Sequence, residues 1–156
     1  MSELESRPPT LEDLIQLCSK LNAAGARYII VGGMAMLQLG FVRATEDIDL
    51  LIEDSEANEA KVISVLSELP DHSAAQIRPG EIAQYEVIRV ADEIVVDLMA
   101  KACGKTFRDA ESGITWVEHS GVRIPFAGPE LMIALKQSLR EKDRLDLAFL
   151  KSLIGR

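Results

Sequence analysis

Asp47 and Asp49 flank Ile48 in the run Asp-Ile-Asp-Leu-Leu-Ile, whose aliphatic residues predict a strand. Because side chains alternate across a strand, the two carboxylates share one face while Ile48 and Leu50 take the other. Neighbouring carboxylates repel unless a cation lies between them or one is protonated, and the hard cation suited to oxygen ligands is Mg²⁺, or Mn²⁺ in its place. A third acid, Asp97, interrupts the otherwise apolar Val95-Val96-Asp97-Leu98-Met99, where a charge needs partners. On a strand beside Asp47 and Asp49 it would complete a cluster able to hold two ions that clamp the attacking and leaving oxygens of a phosphoryl displacement. Upstream, Gly32-Gly33 would let backbone amides come close to a phosphate, and the helix that follows would turn its positive end toward it. Nucleotidyl transfer is the chemistry these residues suit.

The elements that must position them are readable from periodicity and caps. Leu11, Leu14, Ile15, Cys18 and Leu21 recur at helical spacing after Thr10, a cap residue, with Gly25 as a stop. Arg27 to Val31 predicts a strand, Gly32-Gly33 a tight turn, and Met34 to Leu39 a short helix. After a loop over 41–46 and the strand of Asp47 and Asp49, a helix capped by Asp54 or Ser55 runs to about Leu69, where Pro70 stops it. Residues 71–83 read as irregular. Gln84 to Val90 and Ile94 to Met99 read as strands of a hairpin turning at Ala91-Asp92-Glu93. A helix near 106–111, strands at 114–118 and 122–126 joined by Ser120-Gly121, and helices over 129–139 and 142–153 complete the chain.

With 156 residues, 47% of them hydrophobic, the chain is long enough for one domain with a substantial core. No apolar stretch reaches membrane-spanning length, and the first residues lack the basic end and apolar block of a secretory signal. A cytoplasmic location without membrane association is expected, with Cys18 and Cys103 as buried thiols. The formal charge of −8 argues against salt-driven attraction to a long polynucleotide. Residues 46–71 carry nine acids and one lysine, whereas Lys136, Arg140, Lys142, Arg144, Lys151 and Arg156 make the C-terminal stretch basic.

The pattern Val-Gly-Gly-Met-Ala-Met, ten residues, Asp-Ile-Asp-Leu, and later Ile-Val-Val-Asp-Leu resembles the core signature of the polymerase-beta-type nucleotidyltransferases over about residues 28–99. The usual turn there is Gly-Ser, and the Gly-Gly of this chain resembles the CCA-adding enzymes. The run GGMAMLQLGFVRATEDIDLLI with the later LKQSLREKDRLDLAFL resembles the small AbiEii- and MenT-like nucleotidyltransferases. That resemblance implies metal ligation by Asp47, Asp49 and Asp97, phosphate contact at Gly32 and Gly33, Arg43 and Thr45 near the substrate, and Lys136 reaching the triphosphate. It also implies an NTP substrate, an acceptor that is a tRNA end, a protein or a small molecule, and an antitoxin as a further partner. The fold class expected is α+β. A mixed sheet carries the three acids, helices flank it, and a C-terminal helical pair over about 127–156 closes one side of a cleft, with the core at about 25–100 of a single 1–156 domain.

Plainer readings of the same residues stand beside this one. Asp47 and Asp49 would be incidental acids on a solvent-facing edge strand, and Asp97 a structural acid paired with Arg89 across the hairpin. Arg43 and Lys136 need no explanation as surface cations, and Asp143, seven residues after Lys136, shares its face only if the helix is unbroken. His72 and His119 lack ligand-spaced partners, and Trp116 reads as a packing residue. The alternative to an enzyme is a catalytically silent protein that keeps the fold and a nucleotide site.

Overall fold

The computed structural model describes residues 5–42, 44–135 and 141–155. The first helix, α1 (Leu11–Ala23), begins at the expected cap: the Thr10 hydroxyl accepts from the Asp13 N–H, and the Asp13 carboxylate accepts from the Thr10 N–H. Its stripe of Leu14, Leu17, Cys18 and Leu21 is buried. Strand β1 (Tyr28–Val31) is buried along its whole length and passes directly into α2 (Gly32–Gln38), with no separate turn. Strand β2 (Asp47–Ile52) alternates as expected, with Ile48 and Leu50 fully buried on the face opposite the two acids.

Helix α3 (Glu56–Leu66) is capped by Ser55 and ends before the expected Leu69. There the chain tightens into bonds from the Glu68 and Leu69 N–H groups to the carbonyls of Val65 and Leu66, the shorter spacing common in a last turn before proline. Residues 71–83, expected to be irregular, contain a 3₁₀ turn at Ser73–Gln76 and the start of a one-turn helix, α4 (Glu81–Gln84). The buried Glu59 carboxylate accepts from the Gly80 and Ile82 N–H groups and secures this turn. The strand anticipated from Gln84 therefore starts only at β3 (Ile88–Ala91), which pairs with β4 (Val95–Met99). Asp92 fixes the hairpin tip. Burial opposes its charge, but N–H donors from Ser73, Asp71 and Glu93 outweigh that and hold its carboxyl below the ordinary range.

A small ribbon, β5 (Lys101–Ala102) and β6 (Lys105–Thr106), was not legible in the sequence. It is followed by α5 (Phe107–Ala110), β7 (Ile114–His119), β8 (Val122–Ala127), α6 (Pro129–Ala134) and α7 (Glu141–Ile154). The large sheet is mixed, in the order β3-β4-β2-β1-β8-β7, with β2–β4 and β1–β8 parallel and the other pairs antiparallel. This is the α+β arrangement expected, with α1 and α3 packed together and α6 against α7. Among the described residues no helix is long and apolar enough to cross a membrane.

One expectation about the thiols is overturned. Cys18 is fully buried, and desolvation pushes its thiol up to about 12. Cys103 instead lies exposed in the two-residue turn of the β5–β6 ribbon, where it and Gly104 both take positive φ. A thiol reagent is therefore expected to titrate one cysteine in the native protein and two in denaturant. Two fast-reacting native thiols would contradict the burial of Cys18.

Candidate active site

The acids come together through strand register. Asp49 stands directly opposite Asp97 in the parallel β2–β4 pair, and Asp97 directly opposite Arg89 in the β3–β4 hairpin. On the other side Val31, the last residue of β1, stands opposite Asp49. Asp47 is two residues before Asp49 on the same strand, so alternation brings its carboxylate to the same face. The result is a cluster in which Asp47, Asp49 and Asp97 each offer an oxygen, all within 4.8 Å of one another.

Gly32 is what permits Asp49 to sit there. A Cβ at position 32 would fall 1.9 Å from Asp49 Oδ2, and Gly32 also adopts φ +70, in the left-handed region. The carboxylate thus occupies the space a side chain would fill. Gly33 plays a different part: it is buried, and a Cβ on it would meet Thr45 Oγ1 and Cγ2 at 3.0 Å. Thr45 accordingly packs beneath the start of α2, with its hydroxyl buried, whereas Gly32 faces the cleft. Arg43 and Lys136 lie outside the described residues.

Asp97 has two sets of neighbours. Its carboxylate belongs to the cluster, and it also accepts two hydrogen bonds from Arg89, Nε to Oδ1 at 2.9 Å and Nη2 to Oδ2 at 3.0 Å. Arg89 Nη2 reaches Asp47 Oδ2 as well, at 3.2 Å. The bonds to Asp97, then the fields of Asp97, Asp47 and Asp49, raise the Arg89 pKa and keep the guanidinium charged. The Asp97 contact follows from hairpin spacing. The reach to Asp47 does not, because it depends on β4 pairing with β2 across 48 residues of sequence, from Asp49 to Asp97.

A cleft of about 360 Å³ is lined by the acids and Arg89 together with the apolar Val87, Met99, Ala102, Met132 and Leu135. That apolar lining carried no sequence signal, since it is assembled from the approach to β3, the end of β4, the small ribbon, and α6 with its C-cap. His72 bonds the Ser67 carbonyl and His119 the Gln38 side chain, both away from the acids. Trp116, read as a packing residue, is half exposed and lies under the Arg123 guanidinium, whose carbon is 4.4 Å from the ring centre.

Three clustered carboxylates are a donor set for a hard divalent cation, and the guanidinium already held there shows that the pocket accommodates positive charge. The fold has solved counterparts. A protein of Thermotoga maritima described as a candidate nucleotidyltransferase superposes with a TM-score of 0.55 at 17% identity, covering 94% of this chain and 93% of its own. The lincomycin-bound lincosamide antibiotic adenylyltransferase LnuA superposes with a TM-score of 0.60, also at 17% identity, over 96% of this chain and 99% of its own. No curated relative matches the sequence.

The fold is the one shared by these two solved proteins, both named as nucleotidyltransferases. Within that class, the family model described as "Nucleotidyl transferase of unknown function (DUF2204)" matches residues 10–154, and the chain belongs to that family.

Proposed function

We propose that the protein transfers a nucleoside monophosphate from an NTP to a hydroxyl of a small-molecule acceptor, with Asp47, Asp49 and Asp97 holding Mg²⁺ or Mn²⁺. The observation that carries this reading is the cluster of three carboxylate oxygens within 4.8 Å, opening on a cleft beside Gly32. The acceptor oxygen attacks the α-phosphorus, a new P–O bond forms, the bond to the β-phosphate bridging oxygen breaks, and pyrophosphate leaves. When bound, the divalent ions stabilise charge on the attacking and leaving oxygens. Asp97 takes the proton of the acceptor hydroxyl. The backbone at Gly32 and Gly33 approaches the triphosphate, and the sequence resemblance assigns Arg43, Lys136 and, by way of its packing against Gly33, Thr45 to the nucleotide site.

Two features favour a small acceptor over tRNA. The net charge of −8 opposes a polyanionic partner, and the apolar residues Val87, Met99, Met132 and Leu135 in the cleft lining suit a compact acceptor with an apolar face. One structural counterpart is named for modification of an antibiotic. The test is incubation with each α-³²P-NTP, Mg²⁺ or Mn²⁺, and separate pools of metabolites, RNA and protein. Label entering the metabolite pool is expected. Label entering RNA or protein would replace this acceptor class with those of the toxin-like relatives and bring an antitoxin partner back into question. No transfer, together with thermal stabilisation by nucleotide, would identify a silent nucleotide-binding protein.

A further inference from the structure

Arg89 spans the acidic cluster in a way that simple charge pairing does not require. Its side chain is 62% exposed, on the terminal strand of the sheet, and a surface arginine usually remains solvated. Here the planar fork lies flat against Asp97, occupying both of its oxygens, and one nitrogen also reaches Asp47. The guanidinium therefore holds two of the three acids that a metal ion would need, and its positive charge stands where a divalent cation would be repelled. It also lines the same cleft as Gly32.

We propose that Arg89 is a positioning residue that changes partners during the reaction: without nucleotide it serves as the counter-cation of Asp97 and Asp47, and when metal-bound nucleotide enters, its guanidinium passes from Asp97 to the triphosphate. This inference rests on the proposed metal and nucleotide site. The physical sense of the exchange is that three carboxylates clustered so closely are unfavourable without a cation, and Arg89 supplies one until the metal does. Arriving metal neutralises the acids and removes the guanidinium's partners, and a phosphate oxygen is an acceptor of matching fork geometry. Release also frees both Asp97 oxygens, one of which is needed for the acceptor proton.

The experiment measures Mn²⁺ binding by the loss of its free-ion electron paramagnetic resonance signal, and binding of a non-hydrolysable NTP analogue in the presence of Mn²⁺. It compares wild type, Arg89→Gln, Arg89→Lys and Asp47→Asn/Asp49→Asn. Without nucleotide, Arg89→Gln is expected to bind Mn²⁺ about three- to tenfold more tightly, the scale of one partly exposed charge interaction. The same variant is expected to bind the nucleotide analogue about tenfold more weakly. Arg89→Lys, which retains the charge without the fork, should restore wild-type Mn²⁺ affinity and only part of the nucleotide affinity. Loss of a positive charge by itself moves the two affinities in opposite directions, so the exchange is read from Arg89→Lys: full recovery of nucleotide affinity there would leave only a charge effect and overturn it. Unchanged or weaker Mn²⁺ binding in Arg89→Gln, or tighter Mn²⁺ binding with unaltered nucleotide affinity, would overturn the exchange while leaving the metal site standing. Wild-type Mn²⁺ binding no stronger than that of the Asp47→Asn/Asp49→Asn variant would overturn both.

Discussion

Asp47→Asn combined with Asp49→Asn is expected to lower nucleotidyl transfer at least about a thousandfold, a loss of roughly 4 kcal/mol of transition-state stabilisation. The melting temperature without metal should stay within a few degrees of wild type. Asparagine keeps the size and shape of each side chain, so the packing of Ile48, Leu50 and Leu51 between the sheet and its helices is undisturbed. Two opposing electrostatic effects also nearly cancel. The substitution removes like-charge repulsion within the cluster, and it weakens the bond from Arg89 to Asp47, an exposed contact worth about 0–1 kcal/mol. What disappears is the response to divalent ions: wild type is expected to melt higher with Mg²⁺ or Mn²⁺, whereas the double variant is not. A variant that fails to fold, or melts far lower in the absence of metal, would show that the acids hold the sheet together, and the catalytic assignment would fall.

How much of this site could be read from the sequence depends on whether each contact is local. Strand alternation alone puts Asp47 and Asp49 on one face, and the hairpin turning at Asp92 and Glu93 alone puts Arg89 opposite Asp97. Both are contacts between near neighbours in sequence, fixed by the period of a strand and the length of a turn. Joining the two halves requires β4 to lie parallel to β2 with Asp49 opposite Asp97, a pairing chosen by the burial of Ile48, Leu50, Val96 and Leu98 rather than by any local motif. The α3 end and the late start of β3 were missed for a related reason. Pro70 marks where a helix must have stopped, not where its last α-helical bond lies, and the turn at Glu81–Gln84 is held by Glu59 from a distant helix. The exposed Cys103 shows the same limit: a thiol's burial depends on the ribbon that carries it, and four ribbon residues leave no periodic signal.

The glycine pair was read as a close approach to phosphate, but Gly32 has a second constraint that lies within the protein itself. Gly32→Ala places a methyl group 1.9 Å from Asp49 Oδ2 and 2.9 Å from its Cγ, so the Asp49 side chain has to turn away from the cluster. The backbone also has to hold a non-glycine residue at φ +70, which costs about 1–2 kcal/mol by itself. The single substitution is expected to destabilise the protein by about 2–3 kcal/mol in total. Transfer should fall by at least about a hundredfold, because one member of the carboxylate set is displaced. The two causes separate in a double-mutant cycle. In an Asp49→Ala background the methyl group no longer meets a carboxylate and keeps only a 3.1 Å contact with the Cβ of residue 49, so adding Gly32→Ala should cost the backbone strain and little more, leaving a coupling of about 1 kcal/mol between the sites. Mn²⁺ binding should fall with Gly32→Ala alone and show no further loss when Gly32→Ala is added to Asp49→Ala. Strictly additive stabilities, with metal affinity unaffected by Gly32→Ala, would mean that Asp49 does not depend on the space left by Gly32. The glycine would then owe its place to the backbone turn alone.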